Sequence, residues 1–249
     1  MTDKIIRGSG GSPPTPPSPT RAPDTLNSRQ FATIQDLLSE GEIEGFATPS
    51  KAGLTKGTTA YNNAAQKDIF LNDTPILNSS ASNTSPGTSD FNFQNVSFTP
   101  RFGTSNQSHV PGIESSQSFT NVGVTVTTSS PVTRQITNTN VDAAKITITF
   151  PQLQQATEKG DLLGSTVELK IQVQYNGGGF SDVLSDTITG RTADAYQKEY
   201  RVNITGAFPV DIRVVRVTAD STSDNLKDAF AFTSIGEIID DKQTYPNSA

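Results

Sequence analysis

In the second half of the chain, apolar side chains recur at every second position. Val122, Val124 and Val126 alternate with Gly123, Thr125 and Thr127, and Ile146, Ile148 and Phe150 alternate with Thr147 and Thr149. The longest run puts Val167, Leu169, Ile171, Val173 and Tyr175 on one face and Glu168, Lys170, Gln172 and Gln174 on the other. A period of two with one dry and one wet face predicts antiparallel strands packed against a second layer. Asn176-Gly177-Gly178-Gly179 then offers the positive φ angles of a hairpin, with Phe180–Ile188 returning as the partner strand. No helix start and no Gly-Lys-Ser/Thr follows these glycines, so they read as a turn and not as a phosphate loop. Further strands are expected at Val132–Thr137, Tyr200–Ile204, Val210–Thr218 and Ala229–Ile239. Val210, Ile212 and Val214 share one parity and Val215 and Val217 the other, which predicts a bulge or a strand passing between two sheets. Strands at this spacing, with Gly, Asn and Pro between them, read as a sandwich or barrel.

The first half has a different texture. Residues 8–23 hold six prolines and three glycines, too little apolar surface to offset the entropy of ordering, so residues 1–27 are expected to be a flexible Pro/Gly-rich arm. Phe31, Ile34, Leu37 and Leu38 follow with helical spacing, with Asn27 or Ser28 as cap and Gly41 as stop, and predict a helix over 29–40. Residues 72–90 read as one polar loop.

Composition removes most chemistry. There is no cysteine and no tryptophan, and His109 is the single histidine, so thiolate nucleophiles, iron–sulfur clusters and multi-histidine metal centres are excluded. A net charge of −6 argues against nucleic acid, whose phosphates need clustered cations. The N-terminus lacks the apolar stretch of a signal peptide, and no apolar run approaches a membrane span. With 26 serines and 33 threonines the chain favours half-buried pleated surface.

Several groups invite a chemical reading. Glu40, Glu42 and Glu44 share a side if extended, and read as a solvated acidic turn. Asp220, Asp224 and Asp228 resemble a calcium loop but fall short of six oxygens, and Asx and Ser turns explain the same letters. Glu237, Asp240 and Asp241 read as an acidic strand end. The sequons at Asn95 and Asn203 record only how common these residue types are here. His109 reads as a loop histidine. No nucleophile, base and orienter occur together, so the expectation is no enzyme, no catalytic, cofactor-binding or metal residue, and no cofactor.

Ordered blocks carry a resemblance: APDTLNS before LLSEGEIEG, then IFLNDTPI, FNF, RFGTSNQSHVPG, PVTRQIT, EKGD, IQVQYNGG, ITGRT, IRVVRVTADSTSDN and EIIDDKQTYPNSA. From about Ala22 to Ala249 the series resembles the N-terminal region of the tail-tip attachment protein J family (host specificity protein J) of lambda-like siphophages. The resemblance implies a mainly β virion structural protein at the distal end of the phage tail, made in the host cytoplasm. It implies a β-barrel or sandwich hub domain at 28–115 and 216–249, with an inserted antiparallel β-sandwich at 116–215. It also implies a homotrimer around the tail axis, contacting distal tail and tape-measure proteins. Members of the family run on for hundreds of residues past the YPNSA-like end, so host-receptor contact is expected only from distal regions. The alternative is a carbohydrate-binding β-sandwich module or adhesin fragment, with Phe91, Phe93, Tyr175 and Phe180 as a stacking platform.

Overall fold

In the computed structural model, which describes residues 18–27, 33–94 and 96–249, the alternating segments pair as strands. The first elements are α1 (Ala47–Lys51), α2 (Thr59–Ala65), β1 (Phe70–Leu71), β2 (Thr74–Pro75) and a 3-10 turn at Thr88–Asp90. There follow β3 (Glu114–Thr125), β4 (Val132–Ile136), β5 (Ala143–Phe150), β6 (Gln154–Ala156), β7 (Leu162–Leu163) and β8 (Ser165–Tyr175). The last are β9 (Ser181–Gly190), β10 (Tyr196–Asn203), β11 (Val210–Arg216), β12 (Leu226–Lys227) and β13 (Ala231–Asp240). The chain divides into two compact units. One holds Ser118–Glu237 and the described N-terminal residues, and the other holds the described residues of 31–117 with Ile238–Ala249.

The first unit is a sandwich of two four-stranded sheets, ordered β10-β5-β13-β3 and β4-β11-β8-β9, with a small sheet β12-β6-β7 beside them. Register follows hydrophobic parity. In β8, Val167, Leu169, Ile171 and Val173 are fully buried, and β11 sets Ile212 opposite Val173 and Val214 opposite Ile171. Ile146, Ile148 and Phe150 of β5 and Phe232 of β13 join the same core. Each such side chain contributes about 1.5–3 kcal/mol by leaving water, and this stabilises the two-layer arrangement. The β8–β9 hairpin turns as expected: Asn176 and Gly177 have φ of 46° and 71°, and the Gly178 N–H donates to the Tyr175 carbonyl at 2.9 Å.

Two expectations change. No phase shift occurs in β11, which pairs in continuous register from Val210 to Arg216; the inward position after Val214 is taken by Arg216, while Val217 is exposed. The irregularity lies in the β8–β9 pairing, between Ile171 and Gln172. The sandwich also continues beyond residue 215: β13, expected as a hub return strand, sits between β5 and β3 because Phe230, Phe232 and Ile235 bury in its core. Of the two architectures the strand spacing allows, sandwich or barrel, the sandwich is formed, and no sheet among the described residues closes into a barrel.

The second unit is small. The Thr58 side chain caps α2 by accepting from the Tyr61 N–H at 3.2 Å, and Tyr61, Ala64 and Ala65 are buried. Tyr61 meets Phe102 edge-on with centroids 5.6 Å apart, and Phe46 meets Phe98 at 5.5 Å. The segment 72–90, expected as loop throughout, contains β2 and the 3-10 turn. Asn72 and Asp73, at φ 49° and 61°, turn β1 into β2.

The helix expected over 29–40 is absent from its described part. Residues 33–39 are not helical, and Ile34, Leu37 and Leu38 are 77%, 62% and 60% exposed. Its start, with Ser28 and Phe31, lies outside the described residues. The backbone reason is visible: Leu38 and Ser39 donate to the Ala249 carbonyl, and the Ala249 N–H donates to the Ser39 carbonyl. With Ile34, Leu37 and Leu38 facing water, residues 33–39 have no docked apolar stripe to hold a helical turn.

Gly206 gives a test of packing in the sandwich. A Cβ there would lie 2.4 Å from Cγ of the Tyr175 ring, which packs on the core. Gly206→Ala is expected to lower unfolding stability by about 1–3 kcal/mol, measured by urea denaturation, because the ring must shift.

Candidate functional site

Ionisable groups of the sandwich converge in pairs. Arg216, inward on β11 opposite Leu169, has a side chain only 2% exposed. It donates to Oδ2 and to the carbonyl of Asp228, both at 2.7 Å, and to the Thr218 carbonyl at 2.9 Å. It also pairs with Asp220 at 3.1 Å and lies 5.7 Å from the centroid of the Phe230 ring. Asp220 in turn accepts from the hydroxyl and N–H of Thr128, and the hydroxyl above all holds its carboxyl below the usual aspartate range. Asp220 and Asp228 of the calcium-like trio therefore meet a cation the chain supplies itself. Beside it lies an open recess of about 250 Å³ lined by Val126, Ser129, Arg216 and Asp228.

A second node fixes the end of the N-terminal arm. Arg191 is 2% exposed. Its guanidinium donates to the Ala22 carbonyl at 3.0 Å, to Gln154 at 3.1 Å and to the Asp24 carboxylate. Its backbone closes the grip: the Thr25 N–H donates to the Arg191 carbonyl at 3.0 Å, and the Arg191 N–H donates to Thr25 Oγ1 at 3.1 Å. Ala22 and Thr20 exchange backbone bonds with Leu162, and Leu26 packs against the core. Gly190 leaves the room required, since a Cβ there would lie 2.5 Å from Thr25 Oγ1. The arm expected to be flexible over 1–27 is thus strapped to the sandwich from Thr20 to Leu26; residues 1–17 lie outside the described residues.

Asp161 also holds the strap. It accepts from the Thr20 N–H at 2.6 Å and hydroxyl at 2.8 Å, and these bonds, the backbone one most, lower its pKa. A carboxylate depressed in the folded state stabilises above its ordinary value of about 3.9, and the contribution is lost as pH falls through the lower folded value. Acidification below about pH 4 is therefore expected to loosen the strap. The anisotropy of a dye on Ser18→Cys, in a chain with no other cysteine, should fall with pH, and Asp161→Asn should remove that pH dependence.

A third group spans β9 and β10. Burial works against the Asp186 carboxylate, but donors from Lys198 and Tyr200, both at 2.6 Å, outweigh it and hold it below its usual range. Burial, followed by that same carboxylate, pushes the Tyr200 hydroxyl far up. On the sheet's polar face Arg213 stacks on Phe180 at 3.7 Å and donates through Nε to Gln172 Oε1 at 2.8 Å, while the Asp182 carboxylate accepts from Lys170 at 2.8 Å. Among the described residues these charged groups are paired within the chain, with Nε of the buried Arg191 the one guanidinium nitrogen of the two buried arginines that lacks a partner, and such pairing suits a rigid surface better than proton transfer.

The other candidates stay apart. Glu42 and Glu44 are exposed, and Glu40 makes a backbone bridge to Ser248. Asp241 accepts from the Gln243 N–H at 2.9 Å. His109 is half-buried in a loop, its carbonyl accepting from Arg101. Among the described residues no three His, Cys, Asp or Glu side chains could share a metal ion. Asn203 ends β10, and Asn95 lies outside the described residues. Phe91 and Phe93 belong to one unit and Tyr175 and Phe180 to the other; the Phe180 ring is covered by Arg213 and Tyr175 packs on the core. Arg191 and Arg216 were not marked as candidates by sequence. Parity with Val210, Ile212 and Val214 is the signal for Arg216, because an inward charge in a strand needs a buried partner. Arg191 follows a glycine in a loop and carries no such signal.

A family model described as the FNIII-A domain of tip attachment protein J matches residues 116–241, the span of the sandwich through β13. Two curated proteins named tip attachment protein J, from Escherichia phage SECphi4 and Escherichia phage SECphi27, are 31% and 29% identical over 247 residues. The alignments cover 98% and 99% of this chain but 19% of either relative, so the chain spans about a fifth of their length. A solved structure described as "CBM4 structure and function" aligns with 53% of this chain and 74% of its own at 12% identity, with a TM-score of 0.21, too low for a common fold to follow.

Proposed function

The chain belongs to the tip attachment protein J family, and from that premise we propose that it is a structural component of the tip of a phage tail. The observation that carries this reading is the similarity to two tip attachment proteins along virtually the whole chain, not only over the sandwich. The physical character of the molecule supports it: buried ion pairs and stacked sheets make a stiff body, and its polar groups serve the fold. On this reading the sandwich is a rigid module carried by a hub to which the described residues of 31–117 and Ile238–Ala249 belong. Three copies surround the tail axis, neighbouring distal tail and tape-measure proteins, and host-receptor contact belongs to more distal regions. No catalytic or cofactor-dependent role is proposed. A carbohydrate-binding role has less support, because the face of Phe180 that would stack on a sugar already carries Arg213.

Gold-labelled antibody against the sandwich tests the proposal on purified particles. Label confined to the free end of the tail is the expected result. Label on the capsid or along the tube, or particles that lack the chain by mass spectrometry, would overturn it.

A further inference from the structure

Residues Thr20–Leu26 meet the sandwich in the manner of a separate peptide. They run parallel to β7, the outer strand of the β12-β6-β7 sheet. The Leu162 N–H donates to the Thr20 carbonyl at 2.9 Å, and the Ala22 N–H donates to the Leu162 carbonyl at 2.8 Å. This is the strand addition by which sheet edges take extended peptides. Side chains then select the sequence. The Asp161 carboxylate accepts from the Thr20 hydroxyl, Arg191 donates to the Asp24 carboxylate, and Leu26 packs on the core. Two glycines shape the groove: a Cβ at Gly160 would lie 3.2 Å from Cγ of Pro19, and one at Gly190 would lie 3.0 Å from Cγ of Leu26. Pro19 and Pro23 restrict the segment's backbone, which lowers the entropy lost on seating.

The groove is built without its occupant's sequence neighbours. The bonds from Thr20 to Asp161 and from Ala22 to Arg191 join residues 141 and 169 positions apart. Thr20, Arg21, Pro23, Asp24 and Thr25 remain exposed in place, and only Ala22 and Leu26 are half-buried, so lifting the strap uncovers little of the core. We infer that this groove binds the Thr20–Leu26 segment of a second copy of the chain when copies are held close together. Seating in the same chain and seating between two chains make the same bonds, so local concentration decides between them. Copies far apart keep their own straps, and copies held side by side exchange them.

Two full-length variants and one peptide test this. Asp24→Lys sets a cation against Arg191 and so frees that variant's groove of its own strap, while Arg191→Ala disables the groove and keeps the strap's sequence. A labelled peptide of residues 18–27 should bind the Asp24→Lys chain with a Kd below about 1 mM, and at least about ten-fold more weakly when the peptide itself carries Asp24→Lys. Tagged Asp24→Lys chain should retain untagged Arg191→Ala chain, and at least about ten-fold less of an untagged chain carrying both substitutions. Asp161→Lys in place of Arg191→Ala, at a contact near the surface, should give the same retention and guards against a folding defect at Arg191. No peptide binding at about 1 mM, or equal retention of the chains with intact and altered straps, would overturn the inference. Both outcomes are independent of where the chain sits in a phage particle.

Discussion

Arg216→Ala should lower the unfolding free energy by about 3–5 kcal/mol, a large share of what a domain of this size possesses. The cause is the group left behind. Asp228 is 6% exposed, and with the guanidinium gone its carboxylate sits in the core without a cation. Asp220, 40% exposed at its side chain, loses less because water reaches it. The double variant Arg216→Met with Asp228→Leu should recover at least half of the loss, because replacing a buried pair by apolar groups removes both desolvation penalties. Guanidinium-induced unfolding of the three proteins measures both effects. A single variant within about 1 kcal/mol of the parent would mean that the pair does not organise this end of the sandwich.

The second large effect is expected at Arg191. Arg191→Ala removes the donors that hold Ala22, Asp24 and Gln154 together, and should cost about 2–3 kcal/mol, less than Arg216 because Asp24 is half exposed. The stability loss should come with a local signature that Arg216→Ala lacks. Trypsin is expected to cut after Arg21 at least about ten-fold faster than in the parent, at temperatures where the sandwich is intact. Unchanged cleavage would show that the strap is held by its backbone bonds to Leu162 and by Leu26 alone.

These two arginines also mark the limit of what periodicity reveals. β5, β8 and the turn at Asn176-Gly177 are legible because alternation and turn chemistry are local, and a one-residue slip of β8 would turn four buried aliphatic side chains to water. The end of β11 is harder: Val215 and Val217 mimic a phase change, and only the partner Asp228, twelve residues beyond Arg216, reveals that the inward position belongs to a charge. The segment before Gly41 misleads in the opposite direction. Ile34, Leu37 and Leu38 have helical spacing, but Leu38 and Ser39 spend their N–H groups on Ala249, a contact no local pattern contains. The strap is hidden for the same reason, since composition describes the prolines before Thr20 and not the loop at Gly190–Thr192 that receives the residues after them. α2 is legible in retrospect, from Thr58 as a cap ahead of Tyr61, Ala64 and Ala65.

That the molecule works by holding neighbours in place, with its polar groups committed to the fold, is tested most directly by a cryo-EM map of the intact tail tip. The account predicts three copies of the β3–β13 sandwich about the tail axis, each strapped by Thr20–Leu26. A tip whose density contains no such sandwich would contradict it.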